Sequence, residues 1–329
     1  MRSQEDQVWY HVDVNSAYLS WTAAYRVCIL GEDLDLRDIP SVIGGSEAER
    51  HGIVLAKSGS AKRYGIRTGE TLAEARCKCP GLVIVPPDYS LYVGCSKALV
   101  ELLKKYFPHV HQYSIDEAFC RVEGTKGLWG THTAFAHQLK EEIRRELGFT
   151  VNIGVSDCKL LAKMASEFQK PDQVHTLFTR EIERKMWPLP VSDLFWVGPA
   201  TVRKLGALGI RTIGELAVMD LELLKRHLKK QGEFIWNYAN GRDVSPFLRE
   251  LPRNKGYGNS MTTPFDVTDR ETAWQVILSL TETVCARLRA DGMEAACVGI
   301  SITDREFRHG SVQTTLISAT DTTLEIYEA

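Results

Sequence analysis

The order in which strand-favouring and helix-favouring segments alternate constrains this chain more than any other feature. Residues 8–14 and 149–155 are rich in β-branched and aromatic side chains, a composition typical of strands. Residues 90–106 and 131–147 carry apolar side chains at helical spacing, with two short strand-like segments between them. The resulting order of strand, helix, two strands, helix and strand predicts a ferredoxin-like sheet, with two helices on one face and the other face open.

Three acidic residues fall where two of these strands are expected to lie side by side. Asp13 is in the first strand, and Asp116 and Glu117 lie at the corner between the segments 109–114 and 118–122. The first and third strands are neighbours in the predicted order, so the three carboxylates can meet. Converging carboxylates repel one another unless a cation lies among them, and an all-oxygen site favours Mg²⁺. Spacing alone leaves open that each acid is a solvated loop residue.

The composition is that of an ordinary globular protein. The 329 residues are 44% hydrophobic and 25% charged, with a net charge of −2, which excludes a disordered or coiled-coil chain. No apolar run reaches the length of a membrane helix, and the N-terminus lacks the apolar core of a secretion signal, so we expect a cytoplasmic protein. The near-neutral charge gives no direct indication of nucleic-acid binding. The eight cysteines show no second pair at zinc spacing and are interpreted as free thiols.

A block of basic residues follows the last of these strands. Lys159 and Lys163 are four residues apart and therefore share one face of the helix predicted over residues 158–168. Lys170 precedes Pro171 and marks the end of that helix. Lysines opposite the carboxylates could hold a triphosphate or a phosphate backbone. The alternative is a solvated charged face.

A glycine-containing turn lies among the short helices predicted between residues 180 and 240. The segment VGPATVRKLGALGI, residues 197–210, resembles a helix-hairpin-helix element, in which backbone amides grip a phosphate without reading the base sequence. The alternative is a plain turn between two packed helices.

Four motifs together resemble one protein family. HVDVNSAY, YSIDEAF, NIGVSDCKLLAKMAS followed by KP, and VGPATVRKLGALGI occur in the order found in Y-family (translesion) DNA polymerases, and the resemblance covers essentially the whole chain. It implies an α+β multidomain protein with a ferredoxin-like palm, inserted fingers, a helical thumb containing the helix-hairpin-helix element, and an α/β little finger that we expect to be incomplete. The expected boundaries are 1–29 and 70–171 for the palm, 30–69 for the fingers, 172–240 for the thumb, 241–254 for a linker and 255–329 for the little finger.

The resemblance also implies roles for the acidic residues. Asp13 and Asp116 are similar to the metal-binding aspartates of the family, with the Val14 carbonyl as a further ligand, and Glu117 is similar to the acidic partner of the second aspartate. Together they would hold two Mg²⁺ ions, which activate the attacking oxygen and stabilise the leaving one. Ser114 begins the SIDE stretch of the family and is expected to shape its turn.

Two further residues are assigned to nucleotide binding by the same resemblance. Tyr18 occupies the steric-gate position of the family, where its ring would clash with a 2′-hydroxyl and so select deoxynucleotides. Without the motif, a core aromatic on an amphipathic helix would be the preferred interpretation of Tyr18. Lys170 resembles the lysine that reaches the incoming triphosphate.

The expected fingers, residues 30–69, depart from the family pattern. The fingers of the family carry a Tyr-x-x-Arg pair that contacts the triphosphate, whereas this chain has Gly59 and Lys62 at those positions. Lysine supplies a point charge rather than a bidentate fork. Lys57, Ser58 and Ser60 are candidates to compensate for the loss.

The hairpin residues Gly198, Ala200, Arg203 and Lys204 are the expected DNA contacts, although the family prefers Gly-x-Gly where this chain has Gly-Pro-Ala. A sliding clamp is a further candidate partner, but clamp-binding motifs usually lie beyond the point where this sequence stops. Residues 313–317, QTTLI, resemble such a motif only loosely, and their alternation favours a strand.

The sequence therefore predicts a DNA-directed DNA polymerase of the translesion type. The 3′-hydroxyl of a primer on template DNA would attack the α-phosphate of a deoxynucleoside triphosphate, with two Mg²⁺ ions as cofactors. Two alternatives stay open. One is a catalytically silent relative that only binds DNA, and the other is a nucleotide cyclase, which can share a ferredoxin-like sheet with paired aspartates.

Overall fold

The computed structural model describes residues 7–46, 52–123, 130–243 and 254–329. They divide into two units, one containing the described residues of 7–45 and 53–243 and the other containing residues 46, 52 and 254–329. Of the linker predicted over residues 241–254, residues 244–253 lie outside the described part of the chain.

Strands and short helices alternate through the first unit. Up to the end of the small inserted lobe the elements are β1 (Gln7–Val14), α1 (Ala17–Cys28), β2 (Ser41–Gly44), β3 (Val54–Lys57), α2 (Gly59–Arg63), α3 (Leu72–Lys78) and β4 (Val83–Val85). There follow α4 (Tyr89–Lys104), β5 (His109–Gln112), β6 (Glu117–Glu123), α5 (His132–Leu147), β7 (Val151–Ser156), α6 (Lys159–Glu167) and β8 (Val174–Thr176). The unit continues with α7 (Ile182–Lys185), α8 (Pro199–Ala207), α9 (Ile213–Val218), α10 (Leu221–Leu228) and α11 (Lys230–Ala239).

The main sheet has the strand order β5-β6-β1-β7-β8. β1 is antiparallel to both β6 and β7, β5 is antiparallel to β6, and β8 pairs in parallel with β7 at the opposite edge. The first four of these strands follow the ferredoxin-like order that the sequence predicted. As expected, the ends of β1 and β6 that carry the acidic residues are neighbours.

Helices cover both faces of this sheet. On one face Tyr10 and Val12 of β1 pack with Leu103 of α4 and Leu139 of α5 in the largest apolar cluster. On the other face Ala162 of α6 packs with Trp9 and Phe119. The expectation that the second face is open is therefore wrong.

A glycine allows α6 to lie directly on the sheet. A Cβ atom at Gly154 of β7 would lie 1.9 Å from the carbonyl oxygen of Ala162 and 2.6 Å from the backbone nitrogen of Ser166. α6 also buries its own apolar side chains, including Leu160, Leu161 and Met164. The close approach and the apolar surface together explain why α6 covers this face.

The inserted lobe contains a three-stranded sheet in the order β3-β2-β4. Its core includes Val42, Val54, Ile66, Leu72 and Ala75. Because α3 and β4 belong to this core and sheet, the lobe extends past the boundary at residue 69 that the sequence suggested.

The short helices α7 to α11 surround a second apolar core, which includes Met186, Leu205, Leu224 and Ile235. A single 3₁₀ turn, Val191–Asp193, precedes the helix-hairpin-helix segment of residues 197–210. Gly198 is the residue before α8, and Pro199 is its first residue, a position where the missing amide of proline costs nothing.

The second unit consists of α12 (Arg270–Ala290), β9 (Ala295–Thr303), β10 (His309–Thr320) and α13 (Thr323–Glu328). β9 and β10 form an antiparallel pair, and Cys285, Leu288 and Ile326 form its small core. Residues 313–317 lie within β10, so the strand predicted there is confirmed. Among the helices of the described ranges, none combines the length and hydropathy needed to cross a membrane.

Candidate active site

The acidic residues converge where β1 and β6 meet. Asp13 and Glu117 are directly paired in the register of the two antiparallel strands, and paired residues on neighbouring strands project to the same face of a sheet. Trp9 and His11 alternate with Asp13 along β1 and contact Phe119 and α6 residues. Asp13 and Glu117 therefore face the side of the sheet on which α6 lies.

A third carboxylate completes the cluster. One oxygen each from Asp13, Glu117 and Glu167 lie within 4.8 Å of one another. Glu167 is the last residue of α6 and was missed by the sequence reasoning, which considered only the lysines of that helix. It was recognisable in retrospect, because Glu167 is four residues after Lys163 and so lies on the same helix face.

Asp116 lies at the same edge of the sheet but is held differently. The Ser114 hydroxyl donates to Asp116 Oδ1 at 2.6 Å, and the Val14 amide donates to the Asp116 carbonyl at 3.0 Å. Ser114 thus shapes this turn, as expected. Within the described residues, Asp116 is not among the groups whose ligand atoms cluster within 4.8 Å, so its role as a metal ligand, and that of the Val14 carbonyl, stay predictions.

Two lysines neutralise part of this negative charge. Lys170 Nζ lies 3.1 Å from Asp13 Oδ2 and 2.8 Å from Glu167 Oε1. Lys163 Nζ lies 2.6 Å from Glu117 Oε1, with only 7% of its side chain exposed. It also lies 5.0 Å from the ring centre of Phe195. A solvated charged face, the alternative that the sequence left open, is therefore excluded for Lys163.

The electrostatics of the cluster favour a bound cation. Burial raises the pKa of Asp13 to about 7, although the nearby Lys170 ammonium acts in the opposite direction. Burial alone would lower the pKa of Lys170, but its ion pairs with Asp13 and Glu167 outweigh burial and raise it. Three carboxylate oxygens, one of them on a buried residue, form a hard donor set that fits Mg²⁺.

Tyr18 lies beside the acidic residues on the first turn of α1. Its ring stacks on Tyr92 with 4.5 Å between centroids and an interplanar angle of 8°, and Tyr89 meets it edge-on at 6.2 Å. Burial and the charge of Asp116 raise the pKa of Tyr18. The ring is only half-buried, so it is held in one orientation while part of its surface stays accessible.

In the inserted lobe, the two serines proposed to compensate for the altered motif are used internally. The Ser58 hydroxyl accepts from the Ala61 amide at 3.0 Å, which caps α2, and donates to the Ile39 carbonyl at 2.7 Å. The Ser60 hydroxyl donates to the Asp38 carbonyl at 3.2 Å. Both side chains are buried, and both hydroxyl groups donate to backbone carbonyls of the lobe.

Two lysines of the same lobe stay available. Lys62 is exposed on α2. Burial, together with the charge of Lys62, lowers the pKa of Lys57. A pair of mutually repelling cations is stabilised by an anion placed near both.

The hairpin residues expected to contact DNA are at the surface. Gly198, Ala200, Arg203 and Lys204 are all exposed, and Gly198 is followed by α8 without a side-chain cap. A Cβ at Gly198 would meet nothing within 4 Å. The backbone at the start of α8 is therefore accessible.

Comparisons with known proteins place this chain in a family. Residues 12–167 match the model of the impB/mucB/samB family, and residues 254–329 match that of the C-terminal domain of the same family. A protein of Clostridium acetobutylicum named DNA polymerase IV is 47% identical over 97% of this chain and 80% of its own length. A protein of the same name from Acetivibrio thermocellus is 40% identical, over 97% of this chain and 79% of its own length.

Among solved structures, a Y-family DNA polymerase chimera has a similar fold. It superposes with a TM-score of 0.81 over 98% of this chain and 91% of its own chain, at 19% sequence identity. At that identity the likeness shows the fold alone, a mixed α+β architecture.

Proposed function

The chain belongs to the impB/mucB/samB family of Y-family DNA polymerases, and from this premise we propose how its residues carry out translesion DNA synthesis. It is a DNA-directed DNA polymerase of the DNA polymerase IV type. Its parts follow as proposals: the main sheet with α1 and α4–α6 is the palm, the inserted lobe is the fingers, the helices from α7 to α11 are the thumb, and the second unit is the little finger.

The pairing of Asp13 with Glu117 on adjacent strands, with Glu167 beside them, carries the proposal for the metal site. We assign the binding of two Mg²⁺ ions to Asp13, Asp116 and Glu117, with the Val14 carbonyl as a further ligand and Glu167 at the rim. When bound, the ions activate the primer 3′-hydroxyl and stabilise charge on the α-phosphate and the leaving pyrophosphate.

The lysines orient and balance these acids. Lys163 of α6 holds Glu117 in place through a buried ion pair. The side chain of Lys170 is 33% exposed and bridges Asp13 and Glu167. If these carboxylates held a metal ion, the Lys170 ammonium group would be available to the triphosphate. Lys62, with Lys57 nearby, supplies positive charge to the same phosphates from the fingers.

The stacked position of Tyr18 supports the steric-gate role. Tyr92 and Tyr89 keep the ring from rotating away, so a 2′-hydroxyl placed against it would clash rather than be accommodated. A rigid gate of this kind selects deoxynucleotides by exclusion.

The thumb contact with primer-template DNA is assigned to Gly198, Ala200, Arg203 and Lys204. Exposed backbone at the start of α8 and two exposed cations suit phosphate binding without base readout. A cytoplasmic location accompanies this proposal, and a sliding clamp stays a candidate partner, although residues 313–317 are part of β10 and not a free peptide.

Primer extension with purified protein, Mg²⁺ and all four deoxynucleotides tests the assignment. We expect Asp116→Ala to abolish extension while a gel shift still detects DNA binding, and Asp33→Ala, which removes an exposed acid elsewhere, to extend normally. Undiminished extension by Asp116→Ala would remove Asp116 from the site. DNA binding without extension by the wild-type chain would instead indicate a silent relative.

The role of Glu167 has its own matched control. Glu167 pairs with a lysine three residues later, and Glu101 pairs in the same way with Lys104 on α4. We expect Glu167→Gln to weaken Mn²⁺ binding and Glu101→Gln to leave it unchanged. Equal Mn²⁺ affinity of the two variants would exclude Glu167 from the metal site.

A further inference from the structure

A completely buried asparagine lies behind the acidic cluster. Asn152 of β7 is opposite Asp13 in the register of the main sheet and has no exposed surface. A buried polar side chain is stable only when its hydrogen bonds are satisfied. Asn152 satisfies both halves of its amide within the protein.

Three of the four hydrogen bonds of this amide go to residues 166–173, at the end of α6 and just after it, and the fourth goes to Asn15. Its Nδ2 donates to the carbonyl oxygens of Ser166, at 3.0 Å, and Gln169, at 2.6 Å. Its Oδ1 accepts from the Gln173 amide at 3.2 Å and from Asn15 Nδ2 at 3.0 Å. Ser166 and Gln173 thus flank the stretch from Glu167 to Lys170, and Gln169 lies within it.

Asn15 extends the network to the strand that carries Asp13. It follows β1 by one residue and is itself buried. Its Oδ1 accepts from the Asp172 amide at 2.9 Å and from the Thr150 hydroxyl at 3.0 Å. The two asparagines therefore connect the end of β1, the start of β7 and both sides of the stretch from Glu167 to Lys170.

The far side of that stretch is fixed from another helix. Lys140 of α5 is buried and donates to the carboxylate of Asp172 at 3.0 Å and to its carbonyl at 3.1 Å. Asp172 has a positive φ of 60°, a conformation that is costly for a residue other than glycine and is kept only when its surroundings enforce it.

We propose that Asn152, acting with Asn15, is a positioning residue that holds Glu167 and Lys170 in register with Asp13. The proposal rests on the proposed function, because it gives the network a task in metal and nucleotide binding. Only a side chain with two donors and an acceptor in one plane meets the four partners of Asn152. Aspartate lacks the donors, and an apolar side chain leaves the Ser166 and Gln169 carbonyls without a partner.

A structural role alone and a positioning role predict different results. If Asn152 only stabilised the fold, its loss would lower the melting temperature and leave ligand affinities unchanged. If it positions Glu167 and Lys170, its loss also weakens metal binding and nucleotide binding. Loss of residues that orient metal ligands typically reduces metal affinity by about 10- to 100-fold.

Asn240 provides a matched control in the same unit. Its Nδ2 also donates to two backbone carbonyls, those of Ala217 at 3.1 Å and Trp236 at 3.0 Å, and it lies among the thumb helices. Asn152→Ala and Asn240→Ala thus remove the same kind of interaction without adding charge. Only Asn152→Ala removes such hydrogen bonds beside the acidic cluster.

The test measures three quantities for the full chain: the melting temperature, the Kd for Mn²⁺ without DNA or nucleotide, and the KM and kcat for a deoxynucleoside triphosphate in primer extension. We expect both variants to melt at lower temperature. Asn152→Ala should raise the Mn²⁺ Kd and the nucleotide KM by about 10-fold or more, with a smaller change in kcat, whereas Asn240→Ala should leave both unchanged.

Two outcomes would overturn the proposal. One is an Asn152→Ala variant that loses thermal stability but keeps the wild-type Mn²⁺ Kd and nucleotide KM; the other is an equal change in both variants. If Asn152→Ala does not fold, Asn15→Ala is compared with Asn240→Ala on the same criteria. The Mn²⁺ measurement does not depend on polymerase activity, so failure of the wild type to extend primers would refute the proposed function separately.

Discussion

Lys170 forms an ion pair with Asp13 across the end of the main sheet, with Nζ 3.1 Å from Oδ2. The same ammonium group lies 2.8 Å from Glu167 Oε1. One lysine therefore occupies the space between two of the three clustered carboxylates. If the proposed metal ion binds these same oxygen atoms, its binding and the release of Lys170 are linked.

This linkage predicts opposite effects of Lys170→Ala on two ligands. Without the competing ammonium group, the protein should bind Mn²⁺ more tightly when nucleotide is absent. The KM for deoxynucleoside triphosphates should rise, because a cation that contacts the phosphates has been lost. Titration with Mn²⁺ and steady-state primer extension measure the two effects.

Lys225→Ala is the control for Lys170→Ala, since Lys225 also bridges two glutamates, Glu222 of α10 and Glu233 of α11. This variant should behave as the wild type in both measurements. A Lys170→Ala variant with unchanged Mn²⁺ affinity and unchanged KM would show that Lys170 serves neither ligand.

Metal binding should depend on pH around neutrality. Burial raises the pKa of Asp13 to about 7, and a metal ion binds the deprotonated carboxylate. Below pH 7 a proton must therefore be displaced, and Mn²⁺ affinity should fall by up to about tenfold per pH unit. Above pH 7 the affinity should level off, which calorimetric titrations between pH 5.5 and 8.5 would reveal.

The pH at which Mn²⁺ affinity falls should also depend on Lys170. Its positive charge lowers the pKa of Asp13, so Lys170→Ala should shift the pH at which Mn²⁺ affinity begins to fall to a higher value. A Mn²⁺ affinity that is constant from pH 8.5 down to pH 5.5 in the wild type would contradict a pKa of Asp13 near 7.

Sugar selection should depend on Tyr18. Tyr18→Ala removes the ring that Tyr92 holds in place, so a ribonucleotide would meet less steric hindrance. We expect the ratio of ribonucleotide to deoxynucleotide incorporation, measured as kcat/KM, to rise well above that of the wild type. Tyr25→Ala, a change on the same helix at a partly exposed ring, should leave the ratio unchanged; unchanged selectivity in Tyr18→Ala would remove it from this role.

The contact between α6 and the sheet should be intolerant of a single methyl group. In Gly154→Ala the new Cβ would lie 1.9 Å from the Ala162 carbonyl oxygen. Relieving this clash would require a shift of the α6 backbone, which costs free energy of folding. Overpacking of this kind typically costs about 1–3 kcal/mol, which denaturant unfolding would detect.

Gly94→Ala is the comparison for Gly154→Ala. Gly94 lies within α4, and a Cβ there would meet nothing within 4 Å. Replacing a helical glycine by alanine should stabilise the protein by about 0.5–1 kcal/mol. If Gly154→Ala were as stable as the wild type, the close packing of α6 on the sheet would be incorrect.

Much of the fold follows from local sequence patterns. Alternating β-branched residues define β1 and β7, and helical spacing defines α4 and α5, so the strand order and the approach of Asp13 to Glu117 could be predicted. The position of α6 could not. Its apolar face and its two lysines are equally compatible with a solvated helix, and only the contact of Ala162 with Gly154 shows that it lies on the sheet.

The candidate site divides in the same way. The motifs alone predict the chemistry, because Asp13, Asp116, Glu117 and Tyr18 stand in a family pattern. Which groups touch follows from the packing of the folded chain: Glu167 joins the carboxylates, and Lys163 and Lys170 become their partners. The physical reason is that periodicity and strand pairing depend on near neighbours in sequence, whereas a charge cluster depends on how a helix packs across a sheet, which is settled by the whole core at once.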